Sequence, residues 1–106
     1  MRILLDECVP RRLRNELPEH EVSTVPEMGW TSLNNGALLA QASGKFDVFV
    51  TTDKRLSFQQ NISKLSISVV TLVARRNKLE FLLPLMPDLK KSLNELAKGE
   101  SRRLGG

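Results

Sequence analysis

The chain has one cysteine, Cys8, and one histidine, His20. A lone cysteine excludes an internal disulfide, and there is no cluster of His and Cys of the kind that suits zinc. No apolar run approaches the ~20 residues that a bilayer-spanning helix needs. The first residues, MRILLDE, lack the long apolar core and small-residue cleavage site of a secretory signal. These absences lead us to expect a cytoplasmic protein with no membrane partner. No internal repeat is visible. The hydrophobic share of 41% and charged share of 26% are those of a soluble globular chain and exclude disorder as the general state.

What is present in excess is positive charge, 16 Lys and Arg against 12 Asp and Glu for a net +4. That balance favours an anionic partner such as nucleic acid, although it says nothing of fold. A length of 106 residues implies one domain. We place it over 1–98, with the polar stretch 99–106 as a flexible C-terminal tail.

Short apolar runs alternate with segments of helical period. Arg2 to Leu5 reads as a strand. Pro10 then opens PRRLRNELP, in which Leu13 and Leu17 share a helical face. Pro18 closes that helix, and Glu21 to Val25 reads as a second strand, ended by Pro26 and Gly29. Asn34 or Asn35 can cap a helix carrying Leu38, Leu39 and Ala42, which Gly44 stops. DVFVT, residues 47–51, is a third strand, apolar on both faces in its middle. KRLSFQQN holds one short helix, and ISVVTLV, residues 67–73, is a fourth strand rich in β-branched residues. The final third is helical by period, with Pro84 and Pro87 breaking or restarting it. Alternating strands and helices imply parallel pairing, so the expected fold is α/β, a small three-layer α/β/α sandwich with a mainly parallel four-stranded sheet.

In such a sheet every strand ends on the same edge, where ligands bind. Asp6 and Glu7 follow the first strand and Asp53 follows the third, so the three acids meet there if those strands are neighbours. Clustered carboxylates repel unless a cation or protons offset their charge, and Mg²⁺ or Mn²⁺ are the hard ions that oxygen ligands prefer. Basic residues come next along the chain: Arg11 and Arg12, then Lys54 and Arg55, then Arg75 and Arg76. An acidic centre inside a basic rim is what a metal-dependent phosphodiesterase needs, the rim holding phosphates while the metal activates water. Thr51 and Thr52 could position the Asp53 carboxylate or a water, and Gln59 and Gln60 could reach a phosphate.

Plainer roles compete with these. Asp53 could be the N-cap of the short helix that follows it, and Glu7 could simply point to solvent. Cys8 reads as a small core or loop filler, and His20 as a solvated turn residue. Trp30 reads as a lid over the core, or as a contact for a protein partner if it faces solvent.

Taken together, ILLDECVPRRL, NNGALLAQA and DVFVTTDKRLSFQQN resemble the short PIN-like proteins, relatives of the PIN-domain ribonucleases that act as toxins of bacterial toxin–antitoxin pairs. The resemblance spans roughly residues 2 to 85, and its specificity comes from pairing the LLDE segment with the TTD segment. It implies a metal-dependent endoribonuclease that uses Mg²⁺ or Mn²⁺, acts on RNA and is blocked by a small antitoxin; a homodimer is left open. By motif, the metal-binding acids fall on Asp6 and Asp53. Asn35 stands where relatives often have an acid at the start of the second helix, and Arg55 where many have a second acid. Asn35 still offers a carbonyl ligand, whereas Arg55 cannot bind a cation. Glu7 is the candidate to replace the missing ligand.

Two other classes stay open. One is a catalytically weak module of the same fold that binds RNA or protein through its basic rim. The other is a receiver-like switch phosphorylated on Asp53, which a four-strand count and the lack of a lysine closing a fifth strand disfavour.

Overall fold

The computed structural model describes residues 1–105; Gly106, the last residue of the expected tail, lies outside the described residues. The aliphatic run after Met1 forms β1 (Arg2–Leu5). Ile3, Leu4 and Leu5 are all fully buried, so both faces of this strand are covered, as in the centre of a parallel sheet. The helix expected after Pro10 is a 3₁₀ helix, Arg11–Glu16. Pro18 disfavours helical geometry at the residue before it, and Leu17, at φ −126° and ψ 52°, ends that helix. Leu13 and Leu17 still face inward, both buried.

Next come β2 (Glu21–Thr24) and α1 (Asn35–Ala42). Asn34 caps α1, its side-chain oxygen accepting from the Ala37 N–H at 2.8 Å, which meets one of the unpaired donors of a helix start. All four residues of β3 (Val48–Thr51) are buried. The short helix α2 (Leu56–Gln59) and a 3₁₀ turn, Ile62–Lys64, lead into β4 (Ser68–Val73). The final helical third breaks into α3 (Leu79–Leu82), a 3₁₀ turn (Leu83–Leu85) and α4 (Met86–Glu95). Pro84 and Pro87 each fall in the first turn of a segment, where a missing N–H costs nothing.

The strands pair in the order β2-β1-β3-β4-β5, all parallel, where β5 is Ser101–Gly105. Two expectations are corrected here: the sheet has five strands where four were read, and most of the stretch read as a flexible tail is an edge strand. SRRLG has only one apolar residue larger than glycine, so it carries no strand period. Its place comes from the backbone ladder to β4 and from Arg102, which bridges Glu95 of α4 at 2.8 Å and Glu100 at 3.0 Å.

Two apolar clusters lie on the two faces of the sheet. One joins Ile3, Val48, Val50 and Leu72 to Leu13 and Leu17 and to Leu82, Leu89 and Leu93 of α3 and α4. The other joins Leu4, Phe49 and Val69 to Leu38, Leu39 and Ala42 of α1, Leu56 and Ile62. Helices therefore cover both faces. Trp30 packs on the second cluster, edge-on to Phe46 with centroids 6.1 Å apart, and Lys45 lies 5.4 Å from its ring centroid. That is the lid role. The Cα radius of gyration, 12.3 Å, is close to the ~13 Å of a compact chain of this length. Among the described residues, no helix is long and apolar enough to cross a membrane.

From β1 the chain moves outward to β2, then crosses back to β3 on the other side of β1. The order thus reverses between β1 and β3, and in open α/β sheets such a reversal opens a crevice beyond the strand ends.

Candidate active site at the carboxyl edge of the sheet

Leu5 pairs with Val50, and the Asp6 N–H extends the ladder by donating to the Val50 carbonyl at 2.9 Å. Asp6 therefore leaves the sheet alongside Thr51 and is only 8% exposed. The Glu7 N–H donates to Oδ1 at 2.8 Å, the Thr51 hydroxyl to Oδ2 at 2.6 Å, and the Cys8 thiol to Oδ2 at 3.5 Å. A carboxylate offers about four lone-pair positions, so one remains after these three bonds. Thr51, fully buried, also accepts from the Asp53 N–H at 3.0 Å. One hydroxyl thus orients the first acid and holds the backbone of the second. Of the two partners expected for Thr51, the Asp53 carboxylate or a water, the first is corrected: its hydroxyl bonds with the Asp6 carboxylate, the Asp53 main chain and, at 3.6 Å, the Cys8 sulfur.

The Asp53 side chain is half-buried. Its Oδ1 accepts from the Arg55 N–H at 2.9 Å, and the Arg55 Nε lies 3.9 Å away. The N-cap alternative is met only in part: Asp53 folds onto its own turn, while Arg55 is the residue at the helix start and makes no side-chain cap.

Asp6, Glu7 and Asp53 line one cleft of about 300 Å³. Cys8, Asn35 at the start of α1, Thr52 and Asn77 complete its walls. All three acids expected at this edge line the same cleft, and Asn35 and Thr52 line it with them. Glu7 is exposed. Thr52 Oγ1 is buried and has no hydrogen-bond partner.

The expected rim divides. Arg11 lines an adjoining cleft, and Arg12 a groove with Arg14 and Asn15. Lys54, Arg55, Arg75 and Arg76 are exposed on the loops beyond β3 and β4, the edge on which the cleft opens. Gln59 is exposed, and Gln60 lies against the first turn of α1, its Oε1 3.3 Å from where a Cβ on Gly36 would stand. Sequence reasoning missed Asn77, which no motif marks, and the thiol contact of Cys8. The latter contact is local, from a thiol two residues beyond Asp6 in the turn that leaves β1.

Among the described residues, no group of three or more His, Cys, Asp or Glu side chains is placed to hold a metal ion. The acids share a cleft without forming a joint three-carboxylate ligand set. Two carboxylates, the Asn35 amide and the unpartnered Thr52 hydroxyl are all hard oxygen donors. They fit an ion such as Mg²⁺, which keeps several waters and takes only one or two carboxylates from protein. They do not fit an ion that needs a full protein cage.

The fold and site define an α/β protein with a carboxylate-lined cleft at its topological switch point. Comparison with protein-family models, curated proteins and solved structures found no match to this chain.

Proposed function

We propose that the protein is a PIN-like endoribonuclease, dependent on Mg²⁺ or Mn²⁺, that hydrolyses RNA phosphodiester bonds as the toxin of a toxin–antitoxin pair. The observation that carries this reading is the single Thr51 hydroxyl that joins Asp6 and Asp53 in one cleft beside exposed arginines. A divalent ion bound there supplies charge neutralisation at the phosphate and makes water a better nucleophile. Asp6, Asp53, Asn35 and Thr52 are the oxygen donors that would hold it. Glu7, exposed at the cleft, is free to accept a proton. Arg11, Lys54, Arg75 and Arg76 hold flanking phosphates, and a small antitoxin would act by covering this edge.

The test is cleavage of a labelled single-stranded RNA by purified protein with Mg²⁺ or Mn²⁺. The wild type cuts, whereas Asp6→Asn and Asp53→Asn do not. No cutting by the wild type, or equal cutting by all three, overturns the reading.

One observation favours a second reading. Five parallel strands in the order β2-β1-β3-β4-β5 are the arrangement of receiver-like domains, with an acid pair after β1 and an aspartate after β3. The strand count no longer weighs against a phospho-aspartate switch, whereas β5, SRRLG, still brings no lysine to its end. Acetyl phosphate would then add one phosphoryl group to Asp53, visible as a mass increase that Asp53→Asn abolishes.

A further inference from the structure

Along the 3₁₀ helix Arg11–Glu16 runs a groove of about 320 Å³, lined by Arg11, Arg12, Arg14, Asn15 and Glu27. None of these residues lines the acid cleft. Three guanidinium groups against one carboxylate leave two positive charges unbalanced. Glu27 is committed within the protein: its carboxylate accepts from the Arg14 guanidinium, from the Thr24 N–H at 2.9 Å and from the Thr24 hydroxyl. Arg14 is not used up in return. Of its five N–H donors, the one that bonds to Glu27 is on Nη2, and Nε is buried without a partner. Arg11 and Arg12 are exposed, and among the described residues neither forms an ion pair.

Like charges gathered around one groove repel, and an anion between them relieves the repulsion. The number of charges selects which anion. A carboxylate or a phosphodiester carries one and leaves a guanidinium unmatched, whereas a phosphomonoester carries nearly two at neutral pH and offers three acceptor oxygens. The planar fork of arginine meets such oxygens in pairs, and Asn15 adds an amide donor. We propose that the groove is a binding site for a dianionic phosphate, free or as a monoester, in which Arg11 and Arg12 supply the balancing charge and Arg14 and Asn15 the directed donors. The site is separate from the acid cleft and does not depend on whether that cleft hydrolyses RNA.

The test is an NMR titration of the ¹⁵N-labelled full chain, without metal and at constant ionic strength, with inorganic phosphate, 5′-AMP, dimethyl phosphate and acetate. Saturable shifts are expected at the amides of Arg12, Arg14 and Asn15 with the first two ligands. Their affinity should exceed that of the two monoanions about threefold to fivefold, the scale of one exposed ion pair. Tighter binding of 5′-AMP than of inorganic phosphate assigns the ligand to a phosphate carried on a larger molecule, and binding no tighter assigns it to free phosphate; either supports the site. Arg12→Ala is expected to weaken phosphate binding about threefold to fivefold, and Arg11→Ala combined with it about tenfold, in proteins whose dispersed spectra show them folded. Replacing Lys90 and Lys91, exposed on α4, with alanine removes the same charge elsewhere and should leave the affinity unchanged. No saturable shift at these amides, equal affinity for acetate or dimethyl phosphate, or equal weakening by the lysine pair overturns the site.

Discussion

The Asp6 carboxylate is held by donors of different strength: a backbone N–H, a hydroxyl and a thiol, the last a weak donor. The hydroxyl matters most because it also accepts from the Asp53 N–H. In Thr51→Val the shape is kept, but a buried carboxylate loses a donor and a backbone N–H loses its acceptor, a cost of about 2 kcal/mol. Thr51→Ser keeps both bonds and is expected to fall within about 1 kcal/mol of wild type. Urea denaturation of the two variants distinguishes the cases, and equal losses would mean that the hydroxyl is idle. At Asp53 the nearby guanidinium competes with any cation for the same carboxylate. Because Arg55 is 82% exposed in its side chain, the competition is screened and weak. Arg55→Ala should therefore raise Mn²⁺ affinity only about twofold to fivefold, measurable as loss of the free-ion EPR signal. A fall in affinity would remove Asp53 from the metal-binding residues.

At the scale of elements, the Arg14–Glu27 pair ties the 3₁₀ helix after β1 to the loop after β2. The hydrogen bond from Arg14, then that from the Thr24 N–H, hold the Glu27 carboxyl below its ordinary value of 4.5. A carboxyl with a lowered folded-state pKa adds stability that is present above its unfolded value and disappears as pH falls through the folded one. Melting temperatures of wild type and Glu27→Gln should therefore differ at pH 7 and converge as pH falls through the lowered folded-state value. A gap that persists in acid would assign the effect to packing. At the other edge, Gly105 has φ +83°, and an added Cβ would overlap the Val73 carbonyl and stand 3.0 Å from Leu85 Cδ2. Gly105→Ala should cost at least about 1–2 kcal/mol, with faster amide exchange confined to β5; unchanged exchange there would show that the strand end tolerates a side chain. These two edges also mark what the sequence does and does not reveal. β1, β3 and β4 are legible because strands covered on both faces must be continuously apolar, and Asn34 because a cap is a local interaction. β5 is not, since its position comes from a ladder to β4 and from Arg102 bridging to α4, neither of which leaves a periodic trace. The Asp6–Asp53 meeting follows from strand order, whereas Asn77 enters the cleft through a loop with no pattern of its own.

On the scale of the whole molecule, strand order and charge act at the same place. The reversal between β1 and β3 opens a crevice at one end of the sheet, and Arg11, Arg12, Lys54, Arg55, Arg75 and Arg76 are all exposed on segments that leave that end. A net charge of +4 is modest, so binding of an anionic polymer depends on this local concentration more than on the total. If RNA crosses this edge as proposed, each phosphate held by a rim side chain releases a counterion. The logarithm of the binding constant should then fall linearly with the logarithm of salt concentration, with a slope of about −0.7 for each phosphate contacted on a single strand. Replacing Arg75 and Arg76 with alanine removes two such contacts and should flatten the slope by about 1.4, with no change in melting temperature because both side chains are exposed. Replacing Lys90 and Lys91, exposed on α4, where Lys90 shares a groove with Glu19 and His20 at the amino end of β2, removes the same charge and should leave the slope unchanged. Fluorescence anisotropy with a short labelled single-stranded RNA across a salt series reads both. Equal flattening by the two pairs would mean that RNA responds to net charge alone. No flattening by the arginine pair would place the RNA path elsewhere than over the acid cleft.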